Sequence, residues 1–171
     1  MEYNNPSLLI KDLNFGEDAK SKIGAGVEKL AKAVKSTLGA SGQCVIYEDA
    51  RGIPVITKDG VTVAESVVLF DPVENMGATL IKEAAKNTVK EAGDGTTTAT
   101  VLAESLLNHV NTANFGDESL RDVKNGVNSG LKKVNDYLDS IKIDVTDEKL
   151  NDVAAISCNN DAELGAIIAE A

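Results

Sequence analysis

The sequence contains no tryptophan, only 3 phenylalanines and 3 tyrosines, 2 cysteines, 3 prolines and a single histidine in 171 residues. Each scarcity excludes something. With aromatics at 4% and the apolar share at 43%, the core has to be built from Ala, Val, Leu and Ile. Such side chains suit close helix packing. Cys44 and Cys158 lie far apart, with no CxxC spacing and no neighbouring His, so neither a zinc finger nor a disulfide framework is encoded. They are expected to be reduced, buried thiols. No run approaches the roughly 20 apolar residues of a membrane span, and the opening MEYNNPSLLIKDLNF lacks the basic start and apolar stretch of a secretory signal. A formal net charge of −10 disfavours sequence-independent binding to nucleic acid, which needs clustered Lys and Arg. These absences predict a cytoplasmic protein with no nucleic-acid and no membrane partner.

What is present is helical periodicity broken by glycine-rich turns. Ile23, Val27, Leu30 and Val34 recur at four- and three-residue steps and predict a helix over 17–37. Lys20, Lys22, Lys29, Lys32 and Lys35 lie off that stripe as a solvated face. Gly24 and Gly26 within it are expected to let another helix approach closely. The β-rich runs Gln43–Glu48 and Ile53–Thr57 flank a turn containing Gly52 and predict a hairpin, with Pro54 on an edge or at a strand start. Ser7–Ile10 is a candidate short strand. Residues 61–68 fit a helix or a strand.

Leu80, Ile81, Ala84, Ala85, Val89 and Ala92 predict a second long helix from Pro72 to Ala92, with Gly93 ending it. Another, patterned by Val101, Leu102, Leu106 and Leu107, runs from Thr96 or Thr97 to about Val110. A fourth, with Asp117 as its N-cap, has core positions at Leu120, Val123, Val127, Leu131, Val134 and Leu138. Ser140–Thr146 reads as strand or linker, and two short helices capped by Asp147 and Asp161 follow. The chain stops without a helix-ending signal, which reads as a sequence cut off. His109 is expected to be a helix-surface or packing residue, and Met76 a packing residue at a helix start.

The stretch Gly93-Asp94-Gly95-Thr96-Thr97-Thr98 is costly in helical terms and so asks for a purpose. Two glycines permit a tight turn, the threonines open a helix whose first N–H groups attract anions, and Asp94 is a hard oxygen ligand for Mg²⁺. That combination suits phosphate plus magnesium. It is no Walker loop, because GxxxxGK[ST] does not occur. A plain helix–loop–helix connection explains the hexapeptide equally well. A second Asp-Gly-x-Thr unit at Asp59–Thr62, preceded by Lys58, and the glycine turn at Thr37–Ala40 tilt the balance towards a nucleotide site.

Four segments in order, TLGASG (37–42), ITKDGVTVA (56–64), ENMGATLIKEAA (74–85) and AGDGTTTATVLA (92–103), resemble the nucleotide-binding signatures of the chaperonins. ENMGA and the Lys58-Asp59 pair resemble the group I, GroEL-type branch. The resemblance covers about residues 13–171. It implies a mainly α fold with a small β-hairpin: the N-terminal part of an equatorial ATP-binding domain over 1–138, then the start of an intermediate domain over 139–171. The apical domain and the rest of the equatorial domain would lie outside these residues.

The resemblance further implies an ATP-hydrolysing chaperone, typically with seven identical subunits per ring, that folds client proteins with a lid co-chaperonin. ATP contacts are implied at Thr37, Leu38, Gly39, Ala40, Lys58, Asp94, Gly95, Thr96, Thr97 and Thr98. Asp59 would help position the attacking water, Asp94 would bind Mg²⁺, and oxygens around Thr37, Lys58 and Thr97 would hold K⁺. Ala40 stands where the family usually has Pro, and 114–117 lacks the common Asn-Pro helix start. The alternative is a truncated assembly or nucleotide-binding fragment without efficient turnover, its hairpin pairing with a neighbouring subunit. A small-molecule phosphotransferase is disfavoured by the lack of an acid–base pair.

Overall fold

A computed structural model describes residues 13–39, 41–113, 115–158 and 161–171. The described elements, in chain order, are α1 (Gly16–Lys35), β1 (Val45–Glu48), β2 (Pro54–Thr57), α2 (Gly60–Ser66), α3 (Pro72–Ala92), α4 (Thr96–Thr112), α5 (Leu120–Ile141), α6 (Asp147–Ser157) and α7 (Ala162–Glu170). They fall into two compact units that meet in sequence at the 114/115 boundary. The candidate strand at Ser7–Ile10 lies outside the described residues.

In the first unit the apolar stripe of α1 builds the core. Val27, Leu30 and Val34 are buried with Val63 and Ala64 of α2 and Ala78 and Ile81 of α3. Ile23 is only half-buried, and α1 meets α3 there through glycines. A β-carbon on Gly26 would lie 2.9 Å from the Glu74 Cα and closer still to its carbonyl; one on Gly77 would lie 3.0 Å from the Ile23 carbonyl carbon. Each helix thus presents a glycine to the other's main chain. Gly24, expected to share this role, faces open space. Lys29 and Glu74 bond across the crossing at 2.5 Å, and Lys22 reaches Asp71 at 3.4 Å. Part of the α1 lysine face is therefore engaged with its neighbours.

Local chemistry sets the element ends. Asp71 accepts from the Val73 and Glu74 amides, with Pro72 at the first helical position, and Gly93, left-handed at φ 79°, stops α3. Residues 60–66 resolve as helix because the Asp59 side chain caps them. The hairpin is shorter than its β-rich runs. It pairs Val45 with Thr57, Ile46 with Ile56, Tyr47 with Val55 and Glu48 with Pro54, antiparallel. Pro54 opens β2, where its missing donor does least harm. Asp49 closes the turn by accepting from the Arg51 and Ile53 amides and from the Arg51 guanidinium. Those bonds, the Ile53 amide first, hold its carboxyl below the ordinary range.

In the second unit, Ser119 rather than Asp117 caps α5: it accepts from the Asp122 amide at 3.2 Å, and its hydroxyl donates to the Asp122 carboxylate. Asp117 itself lies in a turn with Gly116, and Glu118 separates it from Ser119, so the helix starts later than expected. The helix also runs through Ser140 and Ile141, which removes the front of the expected strand; residues 142–146 are irregular. Thr146, not Asp147, occupies the N-cap of α6, whereas Asp161 caps α7 as expected. No side chain of α5 is fully buried: of its expected core stripe, Val123 and Val127 are half-buried and Leu120, Leu131, Val134 and Leu138 are exposed. Gly165 lets α7 close on α6: an added β-carbon would lie 2.6 Å from the Ala155 Cα.

Several smaller expectations are corrected. Cys44 is exposed and Cys158 half-buried, both as free thiols. Met76, Leu80 and Ala84 point outward on α3, whose buried face is Val73, Gly77, Ala78, Ile81 and Ala85. Leu102, Leu106 and Leu107 of α4 are likewise exposed. His109 is a surface residue whose Nδ1 lies 2.7 Å from the Ser105 carbonyl oxygen.

Candidate functional site

Three turns close on one place in the first unit. Gly60, the buried first residue of α2, lies directly beneath Thr97 near the start of α4. A β-carbon on Gly60 would overlap the Thr97 hydroxyl and would lie 3.5 Å from the Thr97 Cβ and 3.6 Å from the Val34 Cγ1. Val34 in turn holds the turn after α1, since its carbonyl accepts from the Thr37 amide at 3.0 Å and the Thr37 hydroxyl at 2.8 Å. The ends of α1, β2 and α3 are therefore joined through Val34, Gly60 and Thr97.

The turn after α1 is folded back on itself. Gly39 is left-handed at φ 75°, Gln43 donates to the Ser36 carbonyl, and Gly42 donates to that of Gly39. Leu38 and Gly39 are exposed on its rim. Ala40 lies outside the described residues.

Asp59 precedes Gly60 and faces two ways chemically. Its carboxylate accepts from the Val61 amide at 3.3 Å, the Thr62 amide at 2.9 Å and the Thr62 hydroxyl at 2.5 Å, while its own amide donates to the Thr57 hydroxyl at 3.0 Å. Partial loss of water pushes the carboxyl up. The bonds from the Thr62 hydroxyl, the Thr62 amide and the Val61 amide outweigh that and hold it below the ordinary carboxylate range. The group is thus ionised at neutral pH, and it can accept further bonds because a carboxylate has about four lone-pair sites. Next to it Lys58 is exposed and pairs with no carboxylate among the described residues.

In the turn between α3 and α4, Gly93 and Gly95 are both left-handed, at φ 79° and 97°, and flank an exposed Asp94. One oxygen of Asp94 accepts from the Gly95 amide at 2.6 Å. The three threonines diverge. Thr96 is buried, and its carbonyl accepts from the buried Thr100 hydroxyl at 2.9 Å; Thr97 is half-buried over Gly60; Thr98 is exposed. The first helical bond of α4 runs from Ala99 to the Gly95 carbonyl, so the amides of Thr96, Thr97 and Thr98 remain to bind an outside acceptor. Gly95 offers no side-chain cap to take their place.

A helix start with unsatisfied amides, with an exposed cation and two carboxylates on the turns that lead to it, suits a phosphorylated ligand. No three His, Cys, Asp or Glu side chains gather into a metal cage among the described residues. A hard cation here would take Asp94 together with phosphate and water oxygens, the usual arrangement for Mg²⁺. Leu38, Gly39 and Lys58 reach the contact only through their neighbours in the chain. Gly60 and Thr62 are marked in the sequence only as part of the Asp59–Thr62 unit, and Val34 only as a core position of the first helix. The Asp-Gly step at a helix start signals the first two, whereas nothing local marks Val34 for the site.

The fold, mostly helical with one two-stranded sheet, is that of a chaperonin equatorial domain. The model of the TCP-1/cpn60 chaperonin family matches residues 30–171, and the chain belongs to that family. It is similar to the chaperonin gp146 from the bacteriophage EL 2 (Pseudomonas aeruginosa), whose crystal structures were obtained in the presence of ATP-BeFx. Against crystal form II the identity is 31% and the TM-score 0.78, covering 91% of this chain and 28% of that one. Crystal form I gives 32% and 0.77 with the same coverage, 91% and 28%. The chain thus spans just over a quarter of the length of the phage chaperonin it matches.

Proposed function

We infer that this chain is the nucleotide-binding portion of an ATP-driven chaperonin subunit. The observation that carries the reading is the contact of Gly60 with Thr97 beside Val34 and Thr37. It draws three separate glycine turns into one site, and the similar phage chaperonin was crystallised with an ATP analogue. In this reading the α4 amides and the Thr96, Thr97 and Thr98 segment cradle phosphate, and Thr37, Leu38, Gly39 and Ala40 border the nucleotide. Lys58 offsets triphosphate charge, and Asp94 is the Mg²⁺ ligand. Asp59 orients the attacking water through an acceptor site that its capping bonds leave open. Oxygens at Thr37, Lys58 and Thr97 hold K⁺.

Residues 1–138 then form the equatorial part and 139–171 the start of an intermediate domain. ENMGA and Lys58-Asp59 support a reading of the group I branch, in which the subunit works in the cytoplasm in a ring of identical subunits, typically seven, on unfolded clients with a lid co-chaperonin. A second reading, assembly without efficient turnover, is favoured by the hairpin. Ile46 and Ile56 face each other across it at 68% and 66% exposure, and neither strand pairs with a further strand among the described residues.

Titration of the chain with ATP, with and without Mg²⁺, tests the first reading. Binding that tightens with Mg²⁺ in wild type and loses that dependence in Asp94→Ala is expected. Equal binding by both proteins would remove Asp94 from the site. Phosphate release by a full-length subunit carrying Asp59→Ala then tests turnover, and wild-type turnover would sink the role given to Asp59.

A further inference from the structure

The N-terminal end of α2 belongs to the site, but its other end is held in a way that the site alone does not explain. Helix α2 has seven residues, about 10 Å of rise, too short to bend. Val67 is extended after it, so the last carbonyls have no following helical amides. Lys82 of α3 supplies the missing donor. Its ammonium donates to the Glu65 carbonyl at 3.4 Å and to the Val67 carbonyl. A cation at this end also complements the helix dipole.

The ammonium is partly withdrawn from solvent to do this. Burial, the largest influence, and then the Lys86 charge push it below the ordinary lysine range, against the pull of Glu65. Two more bonds from α3 fix the same region. Lys86 pairs with Glu65 at 3.3 Å, and the Asn75 side chain accepts from the Leu69 amide at 2.9 Å. Between these anchors and the site, Val63 and Ala64 are buried in the core. At the site end, Gly60 has no room even for a β-carbon against Thr97. An axial shift of α2 therefore has to alter the fit of Gly60 beneath Thr97.

We propose that Lys82 is a positioning residue for the nucleotide site, fixing α2 along its axis so that Gly60 and the Asp59 cap meet the start of α4. The proposal rests on the nucleotide reading for its consequence but not for its geometry. Lys82 touches no ligand; it acts through the α2 main chain.

The test compares Lys82→Met, which keeps the stem and removes the donor, with Lys82→Arg, which restores one. In the chain without nucleotide, Lys82→Met is expected to raise hydrogen exchange of the Val63–Ser66 amides about tenfold, the order expected for losing a charged hydrogen bond. It should also shift the Gly60 and Thr97 amide resonances, while α1 amides keep their protection. MgATP affinity should fall about tenfold by the same reasoning, and Lys82→Arg should recover most of each effect. Unchanged Gly60 and Thr97 resonances in Lys82→Met overturn the proposal. So does a shift in those resonances that leaves MgATP affinity at the wild-type value. If wild type binds no MgATP, the nucleotide reading fails, and the resonances alone decide whether α2 is latched. If Lys82→Met does not fold, Lys82→Ala, which also removes the donor, takes its place under the same criteria.

Discussion

Gly60 and Thr97 meet so closely that the first residue of α2 has no space for a side chain. The obstructing atoms belong to the Thr97 side chain rather than to main chain, so an added methyl can be accommodated by moving Thr97. Gly60→Ala should therefore cost about 1–3 kcal/mol, the usual range for overpacking. Adding Thr97→Ala should recover part of that loss. Thermal unfolding of the four proteins in a double-mutant cycle measures the coupling. Purely additive losses would mean that the contact is not made in solution.

The crossing of α1 and α3 makes a sharper contrast. At Gly26 the obstacle is the Glu74 main chain, which cannot step aside. Gly26→Ala should destabilise by about 3 kcal/mol or more, at the upper end of overpacking losses. Gly24 lies two residues away in the same helix with open space around it. Gly24→Ala should stabilise by about 0.5–1 kcal/mol through helix propensity alone. Denaturant midpoints of the two variants should move in opposite directions.

Asp59 joins stability to pH. Its folded carboxyl titrates below the ordinary range, so its stabilisation is complete above the unfolded value of about 3.9 and is lost as pH falls through the lower folded value. Asp59→Ala should cost about 1 kcal/mol at pH 7 as a lost cap. The gap between the two proteins should narrow below about pH 4 and close once the folded carboxyl is protonated. Melting temperatures from pH 7 to pH 2 test this. A gap independent of pH would show that the carboxylate charge is not the source.

Much of the fold is legible in the sequence because the signals involved are local. The bounds of α3 follow from Asp71-Pro72 at one end and Gly93 at the other, chemistry that acts within three residues. The start of α5 is misread because Asp117 and Ser119 are both good caps, and turn geometry rather than cap preference decides between them. Gly24 and Gly26 are equivalent as residues in a stripe. Only the angle at which α3 arrives separates them, and periodicity carries no information about a partner's direction. The site divides in the same way. Each turn is readable by itself, from Thr37-Leu38-Gly39 to Gly93-Asp94-Gly95, but their union through Val34, Gly60 and Thr97 is a property of packing. The stripe of α5 shows the converse, a strong apolar pattern with no side chain fully buried.

Gly93 has nothing within reach of an added β-carbon, so only its backbone angle resists substitution. Gly93→Ala should cost about 1–2 kcal/mol, the penalty of a left-handed alanine. Gly93→Asn should cost less, because Asn tolerates that region better. Thermal unfolding would rank the three proteins, and Ala equal to Gly would mean that the turn is made differently.

Asp94 sits between two glycines that already fix the path of the chain around it. Shape and chemistry in this turn are thus assigned to separate letters of the sequence. The flanking positions write the curve, and the middle one is free to change what the curve carries. A lineage could exchange the residue at 94 and keep the loop, since the glycines on either side hold its outline without it.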